Sequence, residues 1–304
     1  MTYSIKYIKS IPHNSGALKK ICQSDIENGY KVKLFSDDVS GEKFELPNVE
    51  LTICNDASLA AVKSAVQLYA EKCQFYFERG GVFSIDPKKY SYGKKIPKLD
   101  YDEAMELTTA GYHFLGEEVL EYAKRHSVRV EVLSIEDDVP TTIKEVFGLD
   151  GMLIKSVIKD PNIVVITLTE VPDKKGMSYH IFKTLSEGNI FVDSIMLPAA
   201  NHSQQDISFL VKSGDKALVE KVLQANRSHL EFKDIIVNDN VAKISVIGSG
   251  IQTQYGVAAK FLEVLYNNDI NVMMIFTTEI KISVVVENSM ADLAVHEIHK
   301  AFID

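Results

Sequence analysis

The sequence predicts an α/β front region with a mostly parallel sheet, followed by two smaller α+β units. Three observations carry that expectation. Helical and strand-like segments alternate through the first 145 residues, the second half repeats itself, and the composition suits several small cores. The chain has 304 residues, long for one domain and comfortable for two or three. Its 46% hydrophobic and 25% charged content are those of an ordinary soluble globular protein. A net charge of −9 counts against nucleic acid as a main partner, because phosphate binding needs a basic surface. No apolar run approaches the roughly 20 residues that span a bilayer, so no membrane is expected. The opening "MTYSIKYIKSIPHNSG" has lysines but no unbroken apolar stretch, and no signal peptide is expected.

In the front region, apolar periodicity predicts a helix over 15–28 and strands over 31–35 and 49–54. A helix over 57–71 and a strand over 73–77 follow, then helices near 101–110 and 116–126 and a strand over 128–134. Such alternation is the signature of a parallel sheet with covering helices. Cys22, Cys54 and Cys73 are widely spaced and odd in number, with no CxxC. Each lies in or beside an apolar run, which suits buried reduced thiols in a reducing cytoplasm. The eight histidines are scattered without ligand spacing, so no metal site is expected.

The second half carries the repeat. "VVITLTEVPDKKGMSYHIFKTLSEGNIFVDSIM" aligns with "AKISVIGSGIQTQYGVAAKFLEVLYNNDINVMMI". Gly176 matches Gly256, Leu185 matches Leu265, Ile190 matches Ile270, Val192 matches Val272 and Ile195 matches Ile275. "DISFLV" then matches "KISVVV" with a five-residue length change absorbed in the polar loop "LPAANHSQQ". Each copy reads strand, loop, helix, strand, strand, helix. Gly176 and Gly256 open the first helices, and "KALVEKVLQA" and "ADLAVHEIHKAF" close the copies as amphipathic helices. Units this small leave a sheet edge or face uncovered, so pairing is expected within the chain or across a dimer.

These stretches resemble the tandem ACT domains at the C-terminus of aspartate kinases, most specifically in "TTEIKISVVV". Upstream, "GVFSIDPKKYSYGKKIPKLDYDEAMELTTAG" resembles the end of that family's kinase domain. The resemblance covers roughly residues 50 to 304. It implies a truncated, degenerate amino acid kinase-like domain over 1–145 and ferredoxin-like ACT domains behind it. The first ACT domain, 162–239, would be inserted into the second, 150–161 plus 240–304, with a strand near "GMLIKSVI" joining the second sheet. It also implies a homodimer through the ACT domains, an amino acid effector at their interface, and an active aspartate kinase as a further possible partner. The effector residues would be Asp173, Gly176 and Met177 in the loop and helix start, and Val192 and Asp193 on the second strand. Asn271, Val272, Thr278 and Glu279 match in the second copy. Leu197 and Pro198, Met273 and Phe276 depart from the family, which implies a more apolar pocket or an empty one.

The front region departs further. The family opens with a lysine and glycine-rich phosphate turn, which "HNSGALKK" does not match. Where the family keeps Gly-Gly-Ser-Asp entering a helix, this chain has "NDASLAA", whose Asp56 and Ser58 read as N-cap residues. In "FYFERGGVFSIDPKK", Phe77, Glu78 and Arg79 stand where the family has acidic groups beside the nucleotide. Gly81, Val82, Asp86 and Pro87 match, and Lys88 replaces an arginine, so Gly81, Val82, Asp86 and Lys88 form the nucleotide-site remnant. Phosphoryl transfer rests on positioned charge. The resemblance with these losses implies a regulatory or degenerate relative, with no catalytic residue, metal ligand or cofactor assigned. The alternatives are an active aspartate kinase, phosphorylating the β-carboxylate of L-aspartate with ATP and magnesium, and an amino-acid-binding module outside aspartate metabolism.

Four weaker signals remain. "GSGIQTQYG" follows a strand but puts Thr253 where a dinucleotide fingerprint needs its third glycine. "EDD" at 136–138 reads as a solvated loop. Glu103 and Glu106 share a helical turn and read as structural. Met273 and Met274 alternate on one strand, one toward a core and the other toward a partner or ligand.

Overall fold

The computed structural model describes residues 2–8, 15–37, 48–77, 80–134, 139–145, 154–198 and 203–304. The front region runs β1 (Tyr3–Ile8), α1 (Ser15–Glu27), β2 (Lys31–Ser36), β3 (Val49–Ile53), α2 (Ala57–Gln67) and β4 (Lys72–Phe77). A short hairpin of β5 (Val82–Phe83) and β6 (Lys95–Ile96) follows, then β7 (Lys98–Leu99), α3 (Tyr101–Thr109), α4 (Glu117–Arg125), β8 (Arg129–Ser134) and β9 (Thr141–Ile143). Seven strands form one sheet in the order β3-β2-β1-β4-β8-β9-β7. The first five are mutually parallel, and β9 runs antiparallel to β8. One sheet face, with Ile5, Phe75, Val130 and Val132, shares a core with residues of α2, α3 and α4. On the other face Ile8, Leu34, Tyr76 and Leu133 form a smaller cluster against Ile21 of α1.

Besides the short strands β6, β7 and β9, which are not predicted, two front elements differ from the sequence expectation. β1 lies in the middle of the sheet, where no strand is predicted, because Ser4 and Lys6 interrupt its apolar pattern. Lys6 is 2% exposed. Its ammonium is satisfied by Asp25 at 2.8 Å and Gln74 Oε1 at 2.6 Å, which is how a buried charge is tolerated. α2 ends at Gln67 rather than 71, since Tyr69 turns left-handed at φ 51.

Behind this sheet, β10 (Ser156–Asp160) leads into β11 (Ile163–Pro172), α5 (Met177–Glu187), β12 (Ile195–Met196), β13 (Gln204–Lys212), α6 (Lys216–Ala225), α7 (Arg227–Leu230) and β14 (Ile235–Asn238). The chain closes with β15 (Val241–Ile247), α8 (Gly250–Thr253), α9 (Val257–Asn267), β16 (Met274–Thr277), β17 (Lys281–Glu287) and α10 (Ala291–Phe302). These strands make two antiparallel four-stranded sheets, β12-β13-β11-β14 and β10-β15-β17-β16. β10 flanks β15 in the second as β14 flanks β11 in the first. The second strands are short: β12 keeps two residues and β16 four, and Met273 is exposed while Met274 is buried.

The helices cover one face of each rear sheet. On the opposite faces Ile163 and Leu210 of the first sheet meet Val241, Met274 and Val285 of the second, with Val165, Met196 and Phe276 alongside. The rest of the second sheet's helix-free face turns to the front region, where Ile158 and Ile247 join the core containing Leu107 of α3. The second rear unit is therefore held between the front region and the first unit.

Candidate functional site

At the carboxyl ends of the parallel strands lies a cleft of ≈ 640 Å³. Parallel α/β sheets place ligands there, where the strand order reverses, here between β1 and β4. Its walls come from Tyr7 near the end of β1, Asp37 after β2, Phe77 ending β4, the start of α2, and residues 113–119 leading into α4. The starts of α2 and α4 both border the cleft, a placement that favours negative charge. That favour is already used at α2. Asp37 Oδ1 accepts the first helical amide, of Ala57, at 2.9 Å. Its other oxygen accepts from Tyr7 Oη at 2.7 Å. Burial, then the neighbouring Asp37 carboxylate, pushes the Tyr7 phenol well up.

This corrects the expected cap. Asp56 holds the N-cap position in a left-handed conformation, φ 53, and its side chain makes no capping bond. Ser58 lines the cleft instead. Asp37 does the capping from 20 residues away; the sequence signal was an aspartate directly after an apolar strand. Four acidic side chains line the cleft, Asp37, Asp56, Glu117 and Glu118, against one histidine, His113. Among the described lining residues there is no lysine or arginine.

The residues expected to form a nucleotide-site remnant lie elsewhere. A Cβ on Gly80 would fall 1.7 Å from the backbone of Leu133, and Gly81 sits at φ +94 with Lys95 Cε 2.2 Å from where its Cβ would be. Both glycines therefore serve close packing. Val82 is buried and its amide donates to Thr141 Oγ1 at 2.9 Å. Asp86 accepts the amide of Lys88 at 2.9 Å, closing the turn at Asp-Pro. None of Gly81, Val82, Asp86 and Lys88 lines the cleft. Glu78, Arg79, the acidic run 136–138 and the start of "HNSGALKK" lie outside the described residues.

In the rear units, Asp173, Gly176 and Met177 share one loop and helix start. The Asp173 amide donates to Ser203 O at 2.8 Å, Gly176 starts α5 at φ 90, and Met177 is buried. Val192 packs on the first unit's core, and the Asp193 carboxylate is ion-paired with the buried Lys243 of β15. Lys243 was missed as a partner; a lysine inside the apolar strand "VAKISVI" is the signal for it. Val272 packs on the second unit's core, Asn271 is exposed, and the Thr278 amide donates to Lys281 O at 2.8 Å.

Two further clusters join front to rear. Glu103 on α3 pairs with Lys155 at 2.7 Å and accepts the amide of Ser249 at 3.0 Å, while Glu106 pairs with Lys281 at 2.6 Å. The loop around Ser249 thus serves an antiparallel unit and a packing joint, not a dinucleotide. Near the β5–β6 hairpin, Ser84 Oγ lies 2.8 Å from His299 Nε2, and His299 Nδ1 lies 3.6 Å from Asp304. The order mimics a nucleophile, base and acid. Ser84 and His299 are 1% and 0% exposed and neither lines the cleft, so the arrangement is a packing contact. Burial holds the His299 pKa below the usual imidazole value. Cys22 and Cys73 are buried, Cys54 is half-buried, and all three are unpaired; burial raises the Cys22 thiol to about 11. Among the described residues no group of three or more His, Cys, Asp and Glu is placed to hold a metal, and no helix is long and apolar enough to cross a membrane.

Known proteins are similar to this chain in sequence and fold. Residues 24–134 match the amino acid kinase family and residues 244–302 match an ACT domain. The aspartokinase of Bacillus sp. (strain MGA3) is 36% identical over 244 residues, which cover 80% of this chain and 59% of that protein. The chain thus spans about three-fifths of the length of the curated relatives it matches. Among solved structures, the aspartate kinase of Clostridium acetobutylicum shares the fold with TM-score 0.71 at 20% identity, over 81% of this chain and 56% of that one. E. coli aspartokinase III in complex with lysine and aspartate does so with TM-score 0.67 at 18% identity, over 98% and 70%. With an amino acid kinase match in front, an ACT domain behind and an aspartokinase aligned over 80% of its length, the chain belongs to the aspartate kinase family.

Proposed function

We propose that this chain is a cytoplasmic regulatory member of the family, catalytically degenerate in front. Its ACT units would bind an amino acid effector and mediate dimerisation in aspartate-family amino acid biosynthesis. The observation that carries the degenerate part is the filled start of α2. The Asp37 carboxylate takes the amide of Ala57, where an anionic ligand would otherwise be received. Around it the described lining has four carboxylates and no lysine or arginine, so a triphosphate would meet charge of its own sign. The effector part is supported by the E. coli relative, solved in complex with lysine and aspartate. Asp173, Gly176, Met177, Val192 and Asp193 would form one side of the pocket and Asn271, Val272 and Thr278 the other. Such a ligand regulates only if it binds one arrangement better than another. The partner would be a second copy or an active aspartate kinase.

The second reading is an active kinase using ATP, magnesium and L-aspartate. It is favoured by the cleft itself, which keeps its position at the strand ends. Parallel calorimetric titrations with ATP–magnesium, L-aspartate and the remaining protein amino acids separate the two. Heat and a raised melting temperature with one amino acid, and none with ATP–magnesium, are expected. ADP release in the presence of aspartate would overturn the degenerate reading.

A further inference from the structure

Helix α3 touches both the cleft and the second rear unit. Its last turn gives Thr108 to the cleft wall, and residues 113–119 beyond it form half of the lining. Its first turn is anchored by Glu103. One carboxylate oxygen completes the capping box with the Asp100 amide at 3.0 Å and pairs with Lys155. The other reaches across to the amide of Ser249. Ser249 precedes α8 in the loop segment 248–256, the counterpart, by the repeat, of the loop before Gly176. Further along α3, Glu106 holds Lys281, and just past the helix end a Cβ at Gly111 would stand 3.7 Å from Asp160 at the end of β10.

We propose that Glu103 is a coupling residue, which makes the position of α3, and with it the cleft wall, depend on the conformation of loop 248–256. A local cap needs one carboxylate oxygen; here the second is committed to another part of the molecule. The carboxylate is buried, so withdrawal of the Ser249 amide leaves an acceptor unsatisfied, and the cost of that drives α3 to follow the loop. Glu103 and Glu106 are three residues apart, on one side of the helix, and both hold lysines of the second rear unit, so α3 shifts as one body. The coupling stands whether the cleft takes a nucleotide or nothing, and whichever ligand the rear units take.

Hydrogen–deuterium exchange of the full chain tests it without any ligand. Ser249→Pro removes the amide proton and sets the ring methylene against the Glu103 carboxylate in its place, while the backbone itself needs no change, because Ser249 already has φ −63, a value proline adopts. Glu103→Gln keeps the shape and weakens both long-range contacts. Both variants should speed exchange of residues 113–119 by about tenfold, the factor that loss of a charge-assisted hydrogen bond gives a local opening. Ser249→Ala keeps the amide and should change nothing. Linkage also requires the reverse effect: Leu115→Ala, in the cleft wall, should speed exchange in 248–256. Faster exchange in Ser249→Pro confined to 248–256, or a Ser249→Ala effect as large as that of Ser249→Pro, overturns the proposal. So does Leu115→Ala that leaves 248–256 unchanged.

Discussion

The sheet β12-β13-β11-β14 with its helices, and the sheet β10-β15-β17-β16 with its own, place matching residues at matching points. Leu185 and Leu265 are buried under each, Ile181 and Phe261 fill the cores, and Gly176 and Gly256 start the first helices at φ 90 and 85. Their buried polar groups differ. The second unit buries Lys155, Ser156, Asp160, Lys243, Ser245, Ser283 and His299. Between residues 163 and 240, among the described residues, no polar side chain is buried. A purely apolar core closes on itself, whereas buried charges need named partners, and those of the second unit lie largely in its neighbours. Lys155 goes to Glu103, Lys243 to Asp193, and His299 to Ser84. The second unit is the fixed joint of the molecule, and the first is attached to that joint rather than to the front region.

The largest effect that can break this contrast comes from the matched leucines. Leu185→Ala and Leu265→Ala should each cost about 2–5 kcal/mol, as buried leucines do, read by chemical denaturation. Their reach should differ. Leu265→Ala should also speed amide exchange in α3 and in the β5–β6 hairpin, while Leu185→Ala leaves both alone. Equal loosening of the front region by both would mean that the two units are equally coupled to it.

Acid should sharpen the contrast further. His299 is buried neutral, so its folded pKa lies below its unfolded one and the unfolded chain binds more protons. Its contribution is therefore complete above the ordinary histidine value of about 6.5 and is lost as pH falls through and below it. Asp304 opposes that loss, whereas Lys94 and His296 add to it; the Tyr92 ring packs edge-on against the imidazole. Melting temperature measured from pH 7.5 down to 5.5 should fall, and His299→Leu should flatten the slope. Among its described residues the first unit has no buried titratable group, so exchange in α5 should not follow pH once intrinsic rates are removed. An unchanged slope in His299→Leu would assign the acid loss to another group.

Much of this architecture is legible in the sequence, and the exceptions have one physical origin. The repeat, its glycines and the parallel alternation are local patterns set by the period of helix and strand. β1 is not legible, because a strand carrying Lys6 reads as exposed until Asp25 and Gln74 are known to meet it. Asp56 stands where a cap is expected, yet Asp37 makes the bond, since the chain brings the end of β2 against the start of α2. The joints are the extreme case: Glu103 and Ser249 are 146 residues apart, and Ser84 and His299 are 215. Glu103 and Glu106 read correctly as structural, but nothing local names what they hold.

The smallest effect tests the one feature that the two units should share. Gly256 has nothing within 4 Å of where a Cβ would stand, and Gly176 has only His180 Nε2, at 3.9 Å. Space does not forbid alanine at either position; the left-handed backbone does. Gly176→Ala and Gly256→Ala should therefore each cost about 1 kcal/mol, the conformational penalty alone, and by the same amount in urea denaturation. A clearly larger cost at Gly176 would mean that something seated on the first unit in solution, a second copy or a ligand, crowds that helix start. Repeating the measurement across a hundredfold range of protein concentration then separates the two: a penalty that grows with concentration belongs to a second copy, and one that does not belongs to a bound ligand.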